Sequence, residues 1–160
     1  MSARNVSTCL VLAAGLALVP ALSVAQQAPR SVTPEALGKY WVMIHASLEA
    51  DVPLGGRRMT GPGCATVSFV VEKTGRTSNI KVQKVEPPGD LGAVAASAAA
   101  SLVFEPTIAN AGRDRVFSSL IFPFNLPADP QARTAVMEKC VIAPLRWSDP
   151  AARGEARPVP

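Results

Sequence analysis

Apolar and polar residues alternate with a period of two in three stretches of the chain. Between Cys64 and Val71, the residues Val67, Phe69 and Val71 alternate with Thr66, Ser68 and Val70, which predicts a strand with one apolar face. Glu72-Lys73-Thr74-Gly75-Arg76 follows as a tight turn, with Gly75 available for the positive φ that a short hairpin loop needs. A second strand places Ile80 and Val82 on one face and Lys81 and Gln83 on the other. Val116, Leu120, Phe122, Phe124 and Leu126 fall on alternate positions of a third. Between the second and third strands the period changes. Glu86-Pro87-Pro88-Gly89-Asp90 breaks the sheet, and Asp90 is placed to cap a helix that buries Leu91, Val94 or Ala95, Ala98 and Leu102. Its alanines would let it lie close to the sheet. Phe104 and Pro106 are read as its end, and Asn110-Ala111-Gly112 as the turn into the third strand. The expected fold class is α+β, a β-β-α-β unit whose three-stranded antiparallel sheet packs on one helix, with flanking N- and C-terminal helices.

The flanks extend this picture. Thr33-Pro34-Glu35 reads as a helix start, with Thr33 as N-cap and Pro34 at the first helical position. Leu37, Tyr40, Trp41, Ile44 and Leu48 share a helical stripe, so this helix is expected to run to about Ala50. Asp51 to Gly63, rich in glycine and proline, is a loop. After Leu126, Asp129-Pro130 opens a short helix with Ala132, Val136, Met137 and Cys140 roughly on one face, and Trp147 is expected to dock. The expected organisation is a signal peptide over 1–25, the N-terminal helix and loop over 26–62, and the β-β-α-β domain over 63–126. A helical extension covers 127–148 and a disordered tail 149–160.

Targeting and charge narrow the function. Arg4 is the sole charge of the first 25 residues, Cys9 to Leu22 is apolar, and Ser23-Val24-Ala25 gives the small-x-small pattern of a signal-peptidase site. A retained membrane anchor is the competing reading, although the run falls short of the roughly 20 residues of a spanning helix. Cleavage would remove Arg4 and lower the net charge from +4 by one. Neither charge state gives the basic stripe with interleaved aromatics that nucleic acid would require. Cleavage also leaves two cysteines, Cys64 and Cys140, and an even count in an oxidising compartment favours a disulfide between them. In a core this poor in aromatics, such a bridge is worth about 4 to 5 kcal/mol at most.

The residues offer little chemistry. His45 is the only histidine and lies beside the helical stripe, as a boundary residue does. No GxSxG, clustered acids or metal-ligand spacing accompanies it. Arg57-Arg58 sits in a loop that carries no phosphate-binding glycine motif. The expectation is a chain with no enzymatic activity, no cofactor and no metal. Binding is the remaining class. A third strand that returns beside the first leaves Arg113 to Phe124 with one side open, and open edges recruit extended peptides through main-chain hydrogen bonds.

The ordered set of these elements resembles the C-terminal domain of the TonB family. The pieces are the strand opening at Gly63, the Lys73-Thr74-Gly75-Arg76 turn and the Ile80-Lys81-Val82 strand, followed by Leu91 with the alanine-rich helix. Phe104-Glu105-Pro106 comes next, and then Gly112 before the strand that ends Phe122-Pro123-Phe124-Asn125-Leu126. The resemblance covers about sixty residues. It implies a periplasmic module of TonB-dependent transport whose third strand receives a short segment of an outer-membrane receptor. The docking edge would be Val116, Phe117, Ser118, Ser119, Leu120 and Ile121, with Pro123 limiting pairing at the far end. The competing expectation is that the segment after Leu126 folds back over this edge. The chain departs from the family in its short spacer, residues 26–63, and in lacking a Tyr-Pro pair ahead of the first strand. A module that modulates transport without transmitting force fits those departures. The alternatives are an envelope protein that self-associates as a homodimer through the same strand, and an anchored energy transducer if the signal is kept.

Overall fold

Two short sheets meet at the glycine of a hairpin turn. The structure is a computed structural model, and it describes residues 27–45 and 61–148. In chain order the elements are β1 (Arg30–Ser31), α1 (Pro34–Leu37), β2 (Trp41–His45), β3 (Gly63–Val71), β4 (Thr77–Glu86), α2 (Leu91–Ala100), β5 (Val103–Pro106), β6 (Val116–Phe124) and α3 (Pro130–Glu138). The class is mixed α and β, as expected. The main sheet has four strands rather than three, in the order β1-β6-β3-β4, and a second sheet pairs β2 with β5. The expected signal peptide, the loop from Asp51 to Thr60 and the tail from Asp149 lie outside the described residues.

β3 and β4 form the hairpin that the alternation implied, in antiparallel register from Cys64↔Glu86 to Val71↔Thr77. Gly75 takes φ 82° in the turn between them. It also accepts the N–H of Phe104 on its carbonyl at 2.8 Å, and Arg76 bridges to Val103, so this turn seats the second sheet. A Cβ at Gly75 would collide with the Phe104 carbonyl oxygen, so both the backbone angle and the close approach demand glycine here. β6 returns antiparallel along the other side of β3, from Gly63↔Phe124 to Val71↔Val116.

The core lies between this sheet and α2. Ala65, Val67, Phe69 and Val71 of β3 meet Ala95 and Ala99 of α2, with Leu102, Phe104 and Val116 around them. Phe69 and Phe104 stack at 6.1 Å between ring centroids. α2 approaches β4 so closely that a Cβ on Gly92 would fall 2.9 Å from Val85 Cγ2. The small side chains of this helix are therefore a packing device. Asp90 stands at its N-cap position but makes no side-chain cap bond, because its backbone is already helical at φ −76°, ψ −4°.

The N-terminal helix ends far short of Ala50. Only Pro34–Leu37 is helical, and Trp41–His45 is a strand; residues 46–50 of the expected helix lie outside the described residues. Gly38 follows Leu37 directly and is a poor helix former. Beyond it, Val42 and Ile44 favour extended backbone. The deciding factor is non-local. Trp41, Val42 and Met43 pair with Pro106, Glu105 and Phe104, so the stretch after α2 is itself a strand rather than the plain exit expected. His45 ends β2, paired with Val103.

β3 is buried along all nine residues, on both faces. Its second face carries Cys64, Thr66, Ser68 and Val70, and the C-terminal extension covers it. Cys64 is disulfide-bonded to Cys140, 76 positions away, as the cysteine count suggested. Thr66 donates its hydroxyl to the Cys140 carbonyl. Asp129 caps α3 by accepting the Ala132 N–H at 2.7 Å, and Trp147 packs edge-on against Phe117 at 5.4 Å. The alternation of Thr66 and Ser68 with valines marks a face beneath this cover, not a solvent face.

Candidate functional site: the β6 edge

β6 has β3 on one side and, for part of its length, β1 on the other. β1 runs parallel to it, with Arg30 opposite Val116 and Ser31 opposite Phe117. The Arg30 N–H donates to the Arg115 carbonyl at 2.9 Å and the Val32 N–H to the Phe117 carbonyl at 3.0 Å. The expected open edge is therefore closed over Val116 and Phe117, and by the N-terminal segment rather than by the residues after Leu126. Arg30 is steadied there by Asp114 at 3.9 Å and by the Tyr40 ring, 5.4 Å from its guanidinium carbon.

Pro34 explains why the ladder stops. Donors on this side recur at every second residue, Arg30 and then Val32, and the next position is a proline with no N–H. The chain turns into α1 at that point, and the Val32 carbonyl takes the Ser118 hydroxyl at 3.2 Å instead. By the same period, the main-chain groups of Ser119 and Ile121 point to this side, away from β3. Among the described residues no strand pairs with them there. Pro123 shares their parity and offers only a carbonyl, so the available stretch is short.

A cleft of about 200 Å³ lies along this unpaired stretch. One wall holds Thr33, Pro34, Ser119 and Ile121; the other is the run from Cys140 to Leu145. The C-terminal extension thus forms a wall of the cleft without taking the ladder. Of the six candidate docking residues, Val116 faces the core, Phe117 lies under Trp147, and Ser118 is spent on Val32. Ser119 and Ile121 border the cleft, and Leu120 packs toward the core. Sequence reasoning missed β1 because residues 26–32 show no alternation, and it missed Thr33 and Pro34 as cleft residues because it used them as a helix start. The signal that could have located the end of the ladder was the missing N–H of Pro34.

Arg115 fastens the start of β6. Its guanidinium donates to both Glu72 carboxylate oxygens, at 2.6 and 2.8 Å, and to the Gln27 carbonyl at 3.2 Å. Burial alone would push the Glu72 carboxyl up. The hydrogen bonds from Arg115 and Ser78, with the charge of Arg115, outweigh it and hold the group below the ordinary glutamate range. The unfolded chain therefore takes up this proton first as pH falls. The pair's contribution is present above the ordinary glutamate pKa and is lost as pH drops through the folded value. Glu72→Gln should accordingly flatten the acid limb of stability, read as urea midpoints between about pH 5 and pH 3. A variant whose midpoints keep the wild-type slope would show that the pair contributes nothing to acid sensitivity.

Among the described residues no group of three His, Cys, Asp or Glu side chains comes together to hold a metal ion, and no helix is long and apolar enough to cross a membrane. Compared with protein-family models, with curated proteins and with solved structures, the chain matches none.

Proposed function

We propose that this chain is an exported, TonB-like protein-binding module that receives an extended peptide of a partner beside Ser119–Ile121 of β6. The observation that carries the reading is the interrupted ladder: β1 ends at the Phe117 carbonyl, and the next outward main-chain groups face an adjoining cleft. Strand addition draws its affinity from such groups and its selectivity from the pockets beside them. The cleft wall from Cys140 to Leu145 would supply the selectivity, and the disulfide would hold that wall in place. The signal-like N-terminus favours a periplasmic location, and an outer-membrane receptor of TonB-dependent transport is the partner that the family resemblance suggests. The short spacer favours a modulating role over the transmission of force.

The test is an amide-shift titration with extended peptides from outer-membrane receptors of the same cell. Saturable shifts are expected at Ser119–Phe124 and Val141–Leu145, with Ile121→Asp weakening binding by at least tenfold, about 1.4 kcal/mol. An absence of shifts at millimolar peptide, or shifts confined to another edge, would remove this function.

A further inference from the structure

We propose that two copies of this chain associate through their β2 strands, paired antiparallel about a two-fold axis at Met43. This surface lies on the second sheet and is independent of the β6 cleft. Among the described residues six large apolar side chains are well exposed, and three are consecutive on β2: Val42 at 50%, Met43 at 41% and Ile44 at 46%. A fourth, Ile108, is 99% exposed and lies close to the start of β2, because its neighbour Thr107 donates its N–H to the Tyr40 carbonyl. Val42 and Ile44 lie on one face of the strand and Met43 on the other, so this edge is apolar on both faces, as an association surface is.

The hydrogen-bonding groups are aimed for it. Met43 sits opposite Phe104, whose N–H is used on Gly75, on the far side of β5. The Met43–Phe104 pair is therefore a non-hydrogen-bonded one, and Met43 directs its own N–H and C=O to the outer edge. Among the described residues no strand lies there.

A second copy is the occupant that this edge fits. An antiparallel partner centred on Met43 brings Val42 opposite Ile44 of the other copy, and Ile44 opposite Val42, with the two Met43 residues exchanging N–H···O=C bonds. Self-complementarity of this kind is what a two-fold interface requires. The strand carries no Lys, Arg, Asp or Glu, so no like charges meet across the axis. Of the other edges, β4 carries Lys81 and Lys84, and β6 has β1 over Val116 and Phe117 and Pro123 toward its end, which leaves a short stretch between them. The bulge between Met43 and His45 leaves Ile44 without a partner on β5 and keeps the regular part of the strand short. The dimer should therefore depend on concentration rather than be permanent.

Met43→Cys is the direct test, because an H-bonded antiparallel pair spaces its Cα atoms within disulfide reach. In a Cys9→Ser background of the full chain, mild oxidation of Met43→Cys should give a covalent dimer, whereas Lys84→Cys on the β4 edge should not. Sedimentation of the otherwise unsubstituted chain should show a monomer–dimer equilibrium that the double substitution Val42→Lys, Ile44→Lys abolishes. These side chains are exposed, so its melting temperature should stay close to that of the parent and confirm that it folds. Failure of Met43→Cys to cross-link, a dimer that survives the double substitution, or a chain monomeric up to millimolar concentration would each overturn the proposal.

Discussion

Replacing both Cys64 and Cys140 by serine is expected to lower the unfolding free energy by about 3–5 kcal/mol, a large share of the roughly 5–15 kcal/mol of an ordinary domain. Two observations place the effect at the top of that range for a single bridge. The loop it closes is long, with the cysteines 76 positions apart, so the unfolded chain gains much freedom when the bond is removed. The extension that the bond holds also has little else to hold it, since no residue of α3 is buried. Among the described residues the contacts that remain include the Thr66–Cys140 hydrogen bond, the Phe117–Trp147 contact, the Trp147 N–H on the Ser31 hydroxyl at 2.8 Å and the Lys84 ammonium on the Val141 carbonyl at 3.5 Å. Freed of the bridge, the cover should lift and bare the second face of β3. The double variant should accordingly bind a hydrophobic dye in buffer and shift the Trp147 emission to longer wavelength as its contact with Phe117 is lost, while α2 and the opposite face keep their protection from exchange. An unchanged denaturation midpoint would mean that non-covalent contacts alone secure the extension.

Trp41→Ala should cost a similar amount, about 3–5 kcal/mol, by a different route. Trp41 is 1% exposed and belongs to the core cluster with Leu37, Phe104 and Val116, although it sits on the small sheet. Its ring is the main apolar link between β2 and the core. Its indole N–H donates to the Asp114 carbonyl at 3.0 Å, in the turn that Asn110 organises by accepting the Asp114 N–H at 2.9 Å. Truncation leaves a cavity and deprives that carbonyl of its strongest donor. Trp41→Phe keeps much of the volume and loses the hydrogen bond, so it should cost about 1–3 kcal/mol. Denaturant titrations can be followed through Trp147, the second of the two tryptophans, which lies on the other face. Equal losses for alanine and phenylalanine would assign the effect to the hydrogen bond; a loss under about 1 kcal/mol for alanine would show that β2 is dispensable to the core.

Both predictions rest on parts of the fold that stand in different relation to the sequence. The β3–β4 hairpin, the Gly75 turn, the alanine-rich α2 and the proline-led start of α3 were legible in the order of residues. Each depends on a period, a turn residue or a cap that acts within a few positions. The cysteine pair was legible from the even count left once the expected signal peptide is set aside. The β6 site was legible as a strand and as an edge, but not in how much of that edge is free.

The tertiary structure decided the rest, because strand identity and edge coverage are settled by partners remote in the chain. Trp41 and Ile44 satisfied a helical stripe on paper, yet Trp41–His45 is a strand because Val103–Pro106, more than half the described chain away, offers it a ladder. Thr66 and Ser68 had the pattern of a wet face, and a cover tied down at Cys140 makes it dry. Arg30 and Ser31 carry no periodic signal at all; they pair with β6 because Asp114, Tyr40 and Arg115 hold the segment beside it. Period and turn chemistry are local and can be read along the chain, whereas a hydrogen-bonded ladder needs two segments and only the fold says which two meet.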